Sequence, residues 1–124
     1  MSVQVEALAA AGSIILAAAA IERLRSHRAR GRVLGTRGRA AASPYILYFS
    51  GPGCTVCNMR QEPALQQLGD VRVERVDALA ERELARRFSV YTVPTTVVMS
   101  AEGSPVDVNY GYAPAARLRE QLGR

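Results

Sequence analysis

The alternation of apolar and polar positions divides the chain into two unlike parts. Val3 to Ile21 is nineteen residues interrupted by Gln4 and Glu6, and its clean part, Ala7 to Ile21, is almost wholly apolar. From Ser43 onward the pattern is the mixed one of a folded domain. Tyr45-Ile46-Leu47-Tyr48-Phe49 is a continuous apolar and aromatic run, as expected of a strand buried on both faces. Ser50-Gly51-Pro52-Gly53 reads as a turn. The helix after it starts near Cys54 and carries Cys57, Met59, Ala64, Leu65 and Leu68, with Pro63 kinking it and Gly69-Asp70 stopping it. Val71, Val73 and Val76 alternate as a second strand ending at Asp77, and Ala80 to Phe88 is a short helix. Val90 to Met99 is β-branched with one proline, Pro94, which belongs at a strand start or bulge because it cannot donate to a ladder. Val106, Val108 and Tyr110 alternate after the turn Glu102-Gly103-Ser104-Pro105, so Thr96–Met99 and Val106–Tyr110 form a hairpin. Ala113 or Pro114 to Leu122 is a last helix with Leu118 and Leu122 inward. The order from Tyr45 is β-α-β-α-β-β-α, an α/β domain.

Charge follows the same division. Seven arginines against Glu6 and Glu22 place the whole net charge of +5 in residues 1–42, while nine arginines balance nine acids in residues 43–124. The domain itself therefore gives no reason to expect a polyanionic partner. The basic stretch lacks aromatic residues to stack on bases, so nucleic acid is not an expected partner. The expected organisation is a hydrophobic helix over residues 1–22, a mobile Arg/Gly-rich linker over 23–42, and a domain over 43–124. Residues 3–21 read as a single membrane anchor; the alternatives are an Ala-rich helix packed on the domain and a cleaved signal peptide. The arginines would then meet anionic lipid headgroups or be solvated, and the basic flank would keep the C-terminal domain in the cytoplasm, with the exported face as the alternative. His27 reads as a solvated side chain, Asp77 as a solvated acid at a strand end, and Tyr91 as a packing aromatic.

The chemistry lies in Cys54-Thr55-Val56-Cys57, which holds both cysteines of the chain. Two cysteines so close are not a structural framework, and a bridge across so short a loop stabilises little by chain entropy. At a helix N-terminus, free N–H groups and the helix dipole stabilise a thiolate at Cys54. Zinc wants four ligands, which only a dimer sharing Cys54 and Cys57 could supply. No metal and no cofactor beyond the cysteine pair are expected.

In this context the domain resembles the thioredoxin superfamily. The resemblance covers about Ser43 to Leu122 and rests on the strand Tyr45–Phe49 running into Cys54-x-x-Cys57, on Val93-Pro94-Thr95 as the family's cis-proline loop, and on the hairpin ending at Gly111 before a terminal helix. It implies a reduced thioredoxin-like fold with a mixed central sheet, and a thiol–disulfide oxidoreductase. Cys54 would attack a substrate disulfide, Cys57 would resolve the mixed disulfide, and Val93 would offer its backbone to an extended substrate segment with Pro94 holding the loop. The implied partners are protein thiols and disulfides, an electron donor, and membrane lipid. The cytoplasmic placement favours a reductase; the alternative is a non-catalytic adaptor docking partners at the membrane. The chain departs from the family at four points. The first strand and helix ahead of the central strand have no counterpart. Gly53 replaces the tryptophan that often precedes the first cysteine, Tyr48 replaces the buried acid, and the helix proline falls one place late, at Pro63. With no carboxylate expected near Cys57, its proton passes to water or to the substrate.

Overall fold

The computed structural model describes residues 2–124, less the side chains of Ser2, Ala29 and Leu34. The first element is one long helix, α1 (Ser2–Leu34). The stretch read from the sequence as a linker, 23–42, divides differently here. Arginine is a good helix former, so the helix runs on through the basic stretch and past Gly31, whose cost is about 1 kcal/mol. Two compact units result, one up to Gly31 and one from Arg32 to Arg124.

Within the first unit the apolar side chains stand outward: Val3, Val5, Leu8, Ile14, Ile15 and Leu16 are all exposed. The segment Val3–Val33 reaches a mean hydropathy of 1.8 over its most apolar stretch and is long and apolar enough to cross a membrane or to serve as a signal sequence.

The second unit begins with the last turn of α1, where Val33 is fully buried among the core residues of the domain. Residues 36–41 then run as a strap bonded to the domain. The Thr36 hydroxyl lies 2.8 Å from the Arg87 carbonyl, Gly38 N–H donates to Gly103 O at 2.7 Å, and Ala41 N–H donates to Ala101 O at 2.7 Å. Gly103 is required where the strap meets the hairpin turn. Its φ is +87°, and a Cβ there would stand 2.6 Å from the Gly38 carbonyl oxygen.

The sheet is built from β1 (Tyr45–Ser50), β2 (Val73–Asp77), β3 (Thr95–Met99) and β4 (Pro105–Tyr110) in the order β2-β1-β3-β4. β2 lies parallel to β1, and β3 lies antiparallel to both β1 and β4. It is the mixed sheet expected from the sequence. Alternate residues of β1 feed two cores. Tyr45, Leu47 and Phe49 pack with Phe88, Val97 and Met99 on one face, while Ile46 and Tyr48 pack with Cys57, Leu65, Val98 and Leu118 on the other. Burial on both faces is why β1 reads as an unbroken apolar run.

The helices cover these faces. A turn of π-helix, Cys57–Gln61, leads into α2 (Glu62–Gln66); α3 is Arg82–Arg87 and α4 is Ala115–Leu122. The π turn answers the proline. Pro63 has no N–H for the carbonyl four residues back, and its ring would strike that carbonyl. Widening the preceding turn, so that Glu62 N–H donates to Cys57 O five residues back, relieves this without ending the helix. α3 begins two residues later than the sequence suggests. The Asp77 carboxylate first accepts the N–H groups of Leu79 at 2.9 Å and Ala80 at 3.1 Å, which holds the chain in a turn.

Candidate active site

Strand β1 delivers the chain to a turn at Gly51–Gly53, where Gly53 has φ +74° and Cys54 N–H reaches the Gly51 carbonyl at 3.4 Å. The helix starts immediately: Asn58 N–H donates to Cys54 O at 3.2 Å. Cys54 and Cys57 are joined in a disulfide with an S–S distance of 2.08 Å. Their surroundings differ. Cys54 is partly exposed, whereas Cys57 is 1% exposed. Cys57 N–H points at Cys54 Sγ from 3.2 Å. This backbone donor, free at the start of the helix, favours negative charge on the outer sulfur.

The Val93–Pro94 peptide is cis. Pro94 is buried at the start of β3, and its carbonyl accepts Gly111 N–H at 2.8 Å. The Thr95 hydroxyl donates to Thr92 O at 2.7 Å and braces the same loop. Val93 is partly exposed and packs on the cluster that holds Cys57 and, at its rim, Cys54. A Cβ on Gly51 would lie 3.7 Å from Val93 Cγ2, so the turn before Cys54 and the proline loop lie side by side. All four residues singled out in the sequence, Cys54, Cys57, Val93 and Pro94, thus come together.

Exposed apolar side chains flank them: Val56, between the cysteines, is 42% exposed and Leu79 is 58%. Tyr91 is 74% exposed and does not pack in the core as expected; it lines an open groove with Gly51, Pro52, Ala78, Leu79 and Val93. Such a strip suits the apolar side chains of an extended polypeptide. Among the described residues no three His, Cys, Asp or Glu side chains cluster as a metal site would require.

Behind the disulfide lies Tyr48, 1% exposed. Its hydroxyl donates to the Cys57 carbonyl at 3.3 Å, the same oxygen that takes Glu62 N–H. Burial, then the nearby Glu62 charge, push its pKa up to about 12, with Arg75 opposing. Glu62 is held by Arg75 through two bonds of 2.9 Å. A carboxylate does therefore stand near this part of the site, contrary to the sequence reading, but it is committed to a guanidinium.

The sequence reading also missed Gln61, which is fully buried. Its amide pairs with the backbone of Ala113 in both directions: Nε2 donates to Ala113 O at 3.0 Å and Oε1 accepts Ala113 N–H at 2.9 Å. It ties the helix of the cysteines to the loop before α4. A signal was present, since Gln61 shares the inward helical face of Cys57, Ala64, Leu65 and Leu68.

Comparison with known proteins agrees with this geometry. Residues 37–124 match the model of the thioredoxin-like domain family. Over 69 residues the chain is 36% identical to the SPbeta prophage-derived thioredoxin-like protein YosR of Bacillus subtilis, covering 56% of this chain and 84% of that one. It is 36% identical over 56 residues to the thioredoxin-like protein YdfQ of the same organism, covering 43% of this chain and 50% of that one. Among solved structures, a malaria-parasite thioredoxin-2 superposes with a TM-score of 0.58 at 20% identity, over 70% of this chain and 98% of its own. A mutant thioredoxin from Halobacterium salinarum NRC-1 gives 0.58 at 25% identity, over 64% and 72%. The cysteine pair set at a helix start, the proline loop beside it and the family match over residues 37–124 lead to one conclusion: the chain belongs to the thioredoxin-like family, with a site of the thiol–disulfide oxidoreductase type.

Proposed function

We propose that the protein is a membrane-tethered thiol–disulfide oxidoreductase working as a reductase, with the Cys54–Cys57 pair as its only redox centre. The observation that carries the reading is the asymmetry of the pair: an outer sulfur facing a backbone N–H, and an inner sulfur buried beside the proline loop. In the reduced protein the Cys54 thiolate attacks a substrate disulfide. A Cys54–substrate bond forms, and the first substrate sulfur leaves as a thiolate and takes a proton. Cys57 then loses its proton and attacks Cys54 Sγ. The Cys54–Cys57 bond forms, the second substrate sulfur departs, and the substrate has gained two electrons. A dithiol donor restores the pair. The substrate is a polypeptide disulfide in an extended segment, laid along the Val93 backbone with apolar side chains over Tyr91 and Leu79. Pro94 supplies no N–H that would compete for the thiolate.

The tether is α1. At about 1.5 Å per residue its apolar part, Val3–Ile21, approaches the roughly 30 Å of a bilayer core. The arginines that follow would lie at anionic headgroups on the cytoplasmic side.

Cys57→Ser tests the redox reading. It should accumulate covalent adducts with cellular proteins that reductant releases and that Cys54→Ser lacks. An absence of adducts, with partner binding retained in Cys54→Ala, would instead mark a non-catalytic adaptor.

A further inference from the structure

Where a buried acid would stand in the thioredoxins this chain resembles, it carries a phenol that meets the Cys57 backbone. We infer that Tyr48 is a positioning residue for the resolving step: its hydroxyl fixes the peptide of Cys57 and exchanges no proton, so that resolution runs without a protein base behind the disulfide. This rests on the redox reading above.

The carbonyl oxygen of Cys57 is where β1 meets the helix of the cysteines. It receives Glu62 N–H through the widened π turn and Tyr48 O–H at 3.3 Å from β1. A π turn is rare and occurs mostly as a single turn inside an α-helix, frequently at a functional site. Here the widened turn begins at Cys57 itself, the residue that must advance on Cys54. The second donor comes from the strand at the centre of the sheet and pins the turn from outside the helix. Tyr48 cannot be a base at neutral pH, because a neutral phenol so buried keeps its proton. The charged groups that bear on it, Glu62 from α2 and Arg75 from β2, are bonded to each other. During resolution the Cys57 proton therefore passes to water or to the departing substrate thiolate, which needs one.

The test uses the reduced full-length protein in detergent and the aromatic disulfide DTNB. Attack by Cys54 releases one thionitrobenzoate in a phase that depends on reagent concentration. Resolution by Cys57 releases a second in a phase that does not. In Tyr48→Phe, which keeps the ring, the first phase should match wild type. The second should slow about fivefold, the scale of one neutral hydrogen bond. Its pH profile should keep the wild-type shape. Glu62→Gln, which keeps the Glu62 N–H and the Tyr48 hydroxyl, should leave both phases unchanged. An unslowed second phase in Tyr48→Phe, an equal slowing of both phases, or the loss of an ionisation from either variant's second-phase profile would overturn the inference. Fewer than two thionitrobenzoates per wild-type chain would instead overturn the redox reading itself.

Discussion

Replacing Gln61 by leucine removes the clamp between the helix of the cysteines and the loop before α4, while keeping much of the volume. The Gln61 amide makes two buried bonds to Ala113, one to its N–H and one to its carbonyl. Ala113 is itself 0% exposed, so water does not replace either partner. Each stranded backbone group costs about 1–3 kcal/mol, and the added apolar burial returns roughly 1–2 kcal/mol. At the middle of these ranges the net loss should be about 2–3 kcal/mol. Urea unfolding of the oxidised protein, followed by tyrosine fluorescence, should show it as a midpoint lowered by about 1–1.5 M for a slope near 2 kcal/mol per molar. Gln61→Glu gives an internal control. A protonated carboxyl can donate to Ala113 O and accept from Ala113 N–H, whereas a buried carboxylate cannot donate. The folded-state pKa of that glutamate is raised, so its stabilising effect is present below the unfolded value of about 4.3 and is lost as pH climbs above it. A Gln61→Leu variant within about 0.5 kcal/mol of wild type would refute the reasoning.

Two more outcomes follow. Tyr45 and Tyr48 hold their protons above the usual 10.0, Tyr48 to about 12, in each case chiefly through burial. The unfolded chain ionises first, so stability is full below about pH 10 and declines as pH rises through this window. Ultraviolet titration should show their phenolates forming only as the fold opens, and an unchanged alkaline decline in Tyr48→Phe would contradict this. For the membrane orientation, an impermeant thiol reagent on intact, pre-reduced cells should leave Cys54 unlabelled until the membrane is breached; ready labelling would place the domain on the exported face.

Much of the domain was legible because its signals are local. β1 could be read as a doubly buried strand from Tyr45–Phe49 alone, and the cysteine turn from Gly51-Pro52-Gly53. Pro94 announced a strand start because a missing N–H restricts where it fits. What escaped the sequence depends on contacts distant along the chain. The arginines and glycines of 23–42 suggest a mobile linker when weighed as composition. Val33 is nevertheless buried in the core, and Gly38 and Ala41 take their partners from the β3–β4 turn. Gln61 looks like a surface residue by type although it shares the helical face of Cys57, Leu65 and Leu68, and its partner Ala113 lies 52 residues further along the chain. Tyr91 failed the other way: an aromatic side chain reads as packing, yet it lies on the exposed strip beside the proline loop. At Pro63 the sequence indicated a disturbance in the helix but not its form, since a kink and a π turn both accommodate the missing N–H.

The central claim is that Cys54 and Cys57 form a pair that cycles. Equilibrating the full-length protein across dithiol/disulfide buffers and counting free thiols tests it most directly. The account predicts a single two-electron transition from zero to two thiols per chain, at a potential near those of cytosolic reductants, about −270 mV or below. A pair that stays oxidised, or stays reduced, throughout the range would contradict it.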